Sequence, residues 1–366
     1  MKLLVILTGE MGFDGITNSV LNYYKAMDRS DMIIHVASAR RTDEQMKRNF
    51  ESIGCKVIPL ENRDEHPVKY FCNLVKMIFH EKYDIVHAHG NSATLVIETT
   101  AAMLAGCKVR VVHSRNSFCE HIKVDKLFRP LLYATYTDGF ACGEKAGRWL
   151  FGNRNYTIVQ NGKNIDQFLF NPDKRVEYRK KLNADDGEVL IGHVGLFHRQ
   201  KNHPFLIEIF KNVCDVSDRY KLVLIGDGAD RQIIEAMVNE NGLSNKVVFL
   251  GRQTNVSDWL NALDVMVFPS LFEGMPNVVL EWQINGLSAI ISDNITRECN
   301  VTGTVEFYPL DKGAKKWAEK ILKMDIRNRD GEQEKIKEVF SEAGYDIKKN
   351  AEKLKILYSH LLKKGA

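Results

Sequence analysis

The sequence has no Cys-x-x-Cys pair, no apolar run long enough to cross a membrane, and no extended run of lysine and arginine. Its seven cysteines (Cys55, Cys72, Cys107, Cys119, Cys142, Cys214, Cys299) are scattered and odd in number. That pattern argues against a disulfide framework or a zinc knuckle and fits a reducing cytoplasm. The apolar run at the start, Leu3 to Leu7, is too short for a signal-peptide core or a span and leads into a glycine-containing turn, so it reads as a first strand. Without a long basic run, nucleic-acid binding is a poor reading. Gly12-x-x-Gly15 also falls short of the Gly-x-Gly-x-x-Gly fingerprint, with an acidic residue about twenty positions on, that marks dinucleotide-binding oxidoreductases.

What is present suits a soluble globular chain of two domains. With 366 residues it exceeds the size at which one hydrophobic core usually stops growing, and it is 44% hydrophobic and 27% charged. Residues 1–165 hold 22 Lys and Arg against 17 Asp and Glu, and the remainder holds 29 against 30, so the net charge of +4 comes from the first half. This asymmetry suits either an N-terminal surface facing anionic lipid or a pyrophosphate-bearing acceptor, or an ordinary solvated surface.

Hydrophobic periodicity gives two rounds of alternating strand and helix. In the first, strands are expected at Lys2–Leu7, Ile33–Ala37, Lys56–Pro59, Ile85–His89, Val109–His113, Gly139–Ala141 and Thr157–Gln160, with helices such as Val68–His80 and Ala93–Leu104 between them. The second follows the polar segment Asn161–Gly187, whose Asn-Gly and Asn-Pro pairs signal turns, with strands at Leu190–Val194, Lys221–Ile225, Val247–Leu250, Val265–Pro269 and Ala289–Ser292. The expected fold class is α/β, with two doubly wound Rossmann-like domains, 1–165 and 166–344, joined near that segment. A ligand is expected in the cleft outside the carboxyl ends of the strands. A last helix, about 345–366, carries an apolar stripe of Ile347, Ala351, Leu354, Tyr358 and Leu361, which can cover either the first domain or the second.

The segment richest in chemistry is Glu273-Gly-Met-Pro-Asn-Val-Val-Leu-Glu281, after the strand Val265–Pro269. A turn at Gly274, Met275 and Pro276 followed by a helix start presents backbone N–H donors, from Asn277 and Val278, and a positive dipole end that suit a diphosphate. Glu273 before the turn and Glu281, about two helical turns beyond it, bracket that point. As acceptor-only groups, carboxylates suit sugar and ribose hydroxyls.

Phe268-Pro-Ser-Leu-Phe-Glu-Gly-Met-Pro-Asn-Val-Val-Leu-Glu281 resembles the E-x7-E signature of the retaining GT-B glycosyltransferases of family 4, above all those that build capsular and exopolysaccharides. The resemblance extends along nearly the whole chain. Asp84-Ile-Val-His-Ala-His89, Val159-Gln-Asn-Gly162, His193-Val-Gly-Leu-Phe-His-Arg-Gln-Lys-Asn202, Leu224-Ile-Gly-Asp-Gly228, Phe249-Leu-Gly251 and Ala262-Leu-Asp-Val265 stand in that family's order and spacing.

The resemblance implies a nucleotide-sugar donor, by the family's habit UDP-linked, held mainly by the second domain, and a glycan or polyprenyl-linked acceptor presented by the first. It makes Lys201 the group that neutralises the donor diphosphate, a role a point charge on a flexible stem performs well. It implies that Glu273 and Glu281 grip the donor's hydroxyls, that the loop Gly9–Gly15 approaches donor phosphate and acceptor, that His113, otherwise a strand-end histidine bonded to backbone, stands at the sugar, and that the loop around Gly251 and Arg252 meets the base. One departure is local: where the family has an arginine directly after the motif's glycine, this chain has Leu196, and the nearest arginine is Arg199.

His87 and His89 share one face of a strand and form a conceivable metal pair, but the resemblance implies an enzyme that works without metal or other cofactor. Residues 115–132 mix Arg115, Lys123, Lys126 and Arg129 with Phe118, Ile122, Phe128, Leu131 and Leu132, which suits either a peripheral contact with the inner face of a membrane or a domain helix with one wet side. No protein nucleophile is evident, and the resemblance implies front-side attack with the leaving phosphate taking the proton. Two other readings share the fold: an epimerase acting on UDP-N-acetylhexosamine, and a non-catalytic nucleotide-sugar-binding subunit of a polysaccharide assembly complex.

Overall fold

In the computed structural model, which describes residues 1–365, the chain divides into two units: Met1–Lys163 together with the segment from Gly344 onward, and Asn164–Ala343. Each is built on an all-parallel sheet. The first sheet uses β1 (Lys2–Leu7), β2 (Ile33–Ser38), β3 (Lys56–Ile58), β4 (Ile85–Gly90), β5 (Val109–Ser114), β6 (Asp138–Ala141) and β7 (Thr157–Ile158), in the order β3-β2-β1-β4-β5-β6-β7. The second uses β8 (Val189–Val194), β9 (Tyr220–Ile225), β10 (Val247–Gly251), β11 (Val265–Phe268), β12 (Ser288–Ser292) and β13 (Val305–Tyr308), in the order β10-β9-β8-β11-β12-β13.

Parallel strands covered by helices on both faces need apolar side chains pointing both ways, which is why they read as continuous apolar runs rather than alternating ones. Leu3 to Leu7 shows this directly, with exposures of 0 to 1% along the run. In each sheet the chain first builds outward in one direction and then returns to the other side of the starting strand. The reversals fall between β1 and β4 in the first unit and between β8 and β11 in the second. At these points the loops leaving two neighbouring carboxyl ends diverge and leave a crevice.

The final helix, Ile347–Gly365, lies against the helix Gly15–Ala26 of the first unit, burying Ile347, Ala351, Leu354 and Tyr358. Its return is fixed by Lys163, whose N–H donates to the Tyr345 carbonyl at 2.7 Å and whose carbonyl accepts from Ile347 at 3.0 Å. Gly162 is needed here, because a Cβ would stand 2.8 Å from the Ile347 Cα.

Two sequence expectations need correction. Asn161–Gly187 is not a bare linker, since it folds into the helices Ile165–Phe168 and Pro172–Lys181. The second of these is almost entirely charged; only Tyr178 is buried, so it shows no apolar stripe. The edge strand β13, in which Glu306, Phe307 and Tyr308 are only half-buried, was not expected at all.

Candidate active site

The reversal in the second sheet gathers the residues singled out by sequence. The loop after β8 runs from Gly195 through a 3₁₀ turn, Arg199–Lys201, to the helix His203–Cys214, and the loop after β11 runs from Pro269 to the helix Asn277–Ile284. The two loops are laced together. Leu271 N–H donates to the Gln200 carbonyl at 2.9 Å, Gln200 Nε2 to the Phe272 carbonyl at 2.9 Å, and Asn202 Nδ2 to the Pro269 carbonyl at 3.1 Å. Across this seam Lys201 Nζ meets Glu273 Oε1 at 2.6 Å, and the ammonium also lies 4.7 Å from the centre of the Phe268 ring. The side chains of Lys201 and Glu273 retain 17% and 10% of their exposure, enough to be reached from outside yet desolvated enough for charge to count.

Beneath Lys201 lies an aromatic floor. His193, on β8, donates from Nδ1 to the Val267 carbonyl at 2.9 Å, and since a carbonyl can only accept, Nδ1 carries the proton. Its ring meets His203 edge-on at 4.7 Å, and His203 stacks on Phe197 at 4.2 Å. Burial, reinforced by the charge of Lys201, pushes His203 down to about 4; burial, then His203, pushes His193 well below the ordinary range. Both are therefore neutral and leave Lys201 as the cation of the crevice. Gly195 lets the lysine lie flat, since a Cβ there would come within 3.2 Å of Lys201 Cε and of His193 Nε2.

The helix Asn277–Ile284 starts at Pro276, has no side-chain cap and has no acidic residue in its first turn. No carboxylate of its own first turn therefore competes for the dipole, which favours an anion. Glu281 is its fifth residue, about one turn from the helix start. Gly274, Met275, Asn277 and Val278 are half-buried around this start. Leu196 is 45% exposed on the loop after β8, and Arg199 is exposed in the same 3₁₀ turn as Lys201. Arg252 is exposed after β10, two strands from β8, roughly 10 Å along the sheet edge.

Gly15 and His113 belong to the first unit. Gly15 opens the helix Gly15–Ala26, which Asp14 caps by accepting from Ile16 N–H at 2.7 Å and Thr17 N–H at 3.0 Å. A Cβ added at Gly9 or Gly12 would meet nothing within 4 Å, so this unit's own packing does not require glycine there.

Both ring nitrogens of His113 are engaged inside the first unit. It is 2% exposed, its Nδ1 lies 3.2 Å from His87 Nε2, and its Nε2 lies 3.1 Å from Arg115 Nη1. His87 Nδ1 continues to Tyr358 Oη at 2.7 Å, and Tyr358 Oη to Tyr24 Oη at 2.9 Å. Arginine can only donate, which fixes the direction of the chain: His113 and His87 each accept at Nε2 and carry their proton at Nδ1. Both rings are neutral, because burial first and the Arg115 charge second depress them, His87 to about 3 and His113 well below the ordinary range.

His87, His89 and His113 bring their ring nitrogens within 4.8 Å of one another, the spacing of a metal site. The donor set does not fit a dication. The Nε2 lone pairs of His87 and His113 already accept hydrogen bonds, and the Arg115 charge adjoins them. Arg115 is itself the residue that sequence reasoning misplaced. Read there as part of a basic and apolar surface, it is 7% exposed and ends the relay.

Two parallel doubly wound sheets, with a lysine and its paired carboxylate beside a helix N-terminus at a strand-order reversal, make a site suited to an anionic, hydroxyl-bearing ligand. Comparison with known proteins narrows this. The family described as Glycosyl transferases group 1 matches residues 188–324, and Glycosyltransferase Family 4 matches residues 13–144. EpsF of Bacillus subtilis (strain 168), a protein named as a glycosyltransferase, is 32% identical over 372 residues, covering 98% of this chain and 96% of its own. An Escherichia coli UDP-Gal:alpha-D-GlcNAc-diphosphoundecaprenol alpha-1,3-galactosyltransferase is 25% identical over 338 residues, covering 86% and 84%. HepE from Anabaena, solved with UDP and with UDP-glucose, shares the fold across 98% of this chain and all of its own, with TM-scores of 0.79 and 0.77 at 16% and 17% identity. The chain belongs to the group 1, family 4 glycosyltransferases and has the GT-B fold.

Proposed function

We propose that this glycosyltransferase moves a sugar, with retention at the anomeric carbon, from a UDP-linked donor to a hydroxyl of a glycan or polyprenyl-linked acceptor in capsular or exopolysaccharide synthesis. The observation that carries the reading is the Lys201–Glu273 pair at 2.6 Å beside an uncapped helix N-terminus. The UDP ligands of HepE and the diphosphoundecaprenol acceptor in the name of the Escherichia coli relative support the choice of substrates.

In this reading the donor diphosphate lies over Lys201 and the N–H groups of Asn277 and Val278, within reach of Arg199 from the same turn. Lys201 then exchanges Glu273 for phosphate oxygens, which releases Glu273 to accept hydrogen bonds from the donor sugar. Glu281, one turn further on, addresses the ribose, and the loop at Arg252 meets the base. The acceptor oxygen bonds to the anomeric carbon as the bond to the diphosphate oxygen breaks, and the departing phosphate takes the hydroxyl proton. The protein supplies orientation and anion stabilisation, not a nucleophile. The first unit presents the acceptor.

A membrane-borne acceptor agrees with the helix Ile122–Thr135. It exposes Val124 (41%), Leu127 (74%) and Leu131 (50%) beside the exposed cations Lys123 and Lys126, although Leu132 faces the core. No helix among the described residues is long and apolar enough to cross a membrane, so the contact proposed is peripheral.

A thermal-shift panel of nucleotide sugars tests the donor. UDP-sugars should raise the melting temperature in proportion to the logarithm of their concentration while GDP- and ADP-sugars do not. Stabilisation by a GDP-sugar alone would refute the UDP assignment.

A further inference from the structure

Arg115 is a buried cation with an unpartnered edge. Among the described residues no carboxylate lies within ion-pair distance of it, and its Nη2 has no hydrogen-bond partner. The carboxylate whose charge reaches it, Asp14, spends both oxygens locally: Oδ1 on Ile16 and Thr17 N–H, Oδ2 on the Thr17 hydroxyl at 2.6 Å. Around the charge stand Cys142, Tyr23 and Tyr24, and His113 accepts from Nη1. An arginine so placed stays charged, and an uncompensated buried charge is costly unless something completes it.

Its location says what kind of group completes it. Arg115 follows β5, whose partner in the sheet is β4, the strand next to β1, so it stands at the carboxyl edge beside the crevice where ligands of such sheets bind. The loop after β1 leaves open space at Gly9 and Gly12 and ends at a helix N-terminus. The relay behind Arg115 is built to hold the guanidinium rather than to neutralise it. Each member donates onward, from Arg115 to His113, His87, Tyr358 and Tyr24, and Nη2 takes no part in the relay.

We propose that Arg115 is an oxyanion-binding residue of the first unit, its Nη2 donating to a phosphate oxygen, and that His113, His87 and Tyr358 are positioning residues that fix its orientation. This rests on the proposed glycosyl transfer, whose substrates carry phosphate in two places: the donor diphosphate and the diphosphate of a lipid-linked acceptor. Arg115 is suited to either, because a planar guanidinium fixed at one edge presents its other edge in a set direction, which a lysine would not.

The test compares wild type with R115M, R115K and K201A in the full chain, using UDP and farnesyl diphosphate as probes and the melting temperature as a control. Removing an uncompensated buried charge with an apolar side chain of similar length should leave R115M as stable as wild type or more so. The same variant should bind at least one of the two probes ten-fold or more weakly. Loss confined to UDP assigns the donor diphosphate, and loss confined to farnesyl diphosphate assigns the acceptor. If R115M yields no folded protein, R115K keeps the charge, loses the second edge, and should weaken the same probe three-fold or more. Unchanged affinity of the folded Arg115 variants for both probes, with K201A weakened for UDP, overturns this assignment and leaves the proposed function standing. Loss of no UDP affinity in K201A speaks instead against the donor site of the second unit.

Discussion

Lys201 and Glu273 stand 72 residues apart in the chain and 2.6 Å apart in space, one leaving β8 and the other leaving β11 at the reversal of the second sheet. Neither side chain is simply solvated, and each is the other's partner. An ammonium parked on a carboxylate is already oriented and partly desolvated, so a diphosphate that displaces the carboxylate finds a prepared site.

Glu273→Gln should therefore act on two steps. It removes the resting partner of Lys201 and weakens the grip on sugar hydroxyls, which accepts hydrogen bonds at charge-assisted strength. Losing one such contact costs about 1.5 to 3 kcal/mol, roughly 10- to 100-fold in kcat/KM. UDP affinity, measured by calorimetry, should stay within a few-fold of wild type, because UDP lacks the sugar. An equal loss for UDP and UDP-sugar would contradict the assignment of Glu273 to the sugar.

Gly226 tests how the crevice is held. At φ +143° it lies in a region that side chains rarely adopt, and a Cβ would collide with the Gly195 carbonyl oxygen. Gly195 N–H donates to the Ile225 carbonyl at 3.0 Å and Phe197 N–H to Asp227 at 3.0 Å, so this contact sets the loop that carries Lys201. Gly226→Ala should cost about 1 to 3 kcal/mol in the second unit and lower its melting temperature by several degrees. It should also weaken UDP binding. Normal stability with normal binding would show that the two loops tolerate separation.

Much of this was legible in the sequence because it depends on local pattern. Apolar runs bounded by turns gave twelve of the thirteen strands; β13 escaped because an edge strand with half-buried side chains needs no continuous apolar run. Pro172–Lys181 escaped for the opposite reason, since its charges hold it through tertiary contacts: Arg175 Nη2 and Arg179 Nη1 reach Asp264 at 2.6 and 3.1 Å, 89 and 85 residues away. The Lys201–Glu273 pair could be guessed from its motif. The Arg115 relay could not, because it joins His87 to a tyrosine 271 residues downstream that periodicity marked only as one more apolar position.

That relay predicts an unusual proton placement. His87 and His113 should both be Nδ1–H tautomers in the folded protein, a state that nitrogen chemical shifts in ¹⁵N-histidine-labelled protein distinguish from the Nε2–H form. Tyr358→Phe removes the acceptor of the His87 proton and should shift the His87 and His113 signals together. Nε2–H tautomers at either histidine would contradict the direction set by Arg115.

Five of the six buried histidines, all but His35, also set an acid limit. His87, His89, His113, His193 and His203 are neutral in the fold, burial being the largest cause in each case, and titrate near 6.5 once unfolded. Their depressed values contribute stability that is intact above pH 6.5 and lost as pH falls toward the folded values, about 4 for His203 and about 3 for His87. Each such group makes stability fall by ~1.4 kcal/mol per pH unit within that window. Unfolding at pH 5.5, followed calorimetrically in buffers of different ionisation enthalpy, should take up nearly one proton per buried histidine. Uptake below one proton in total would contradict their neutrality.

The most direct test of the account is transfer by Lys201→Ala. With a labelled UDP-sugar that stabilises the wild type and a lipid-linked acceptor fraction, single-turnover transfer should fall by roughly 100- to 1,000-fold while the melting temperature without ligand stays near that of wild type. Transfer by the folded variant at close to the wild-type rate would remove Lys201 from the leaving diphosphate and contradict the proposed mechanism.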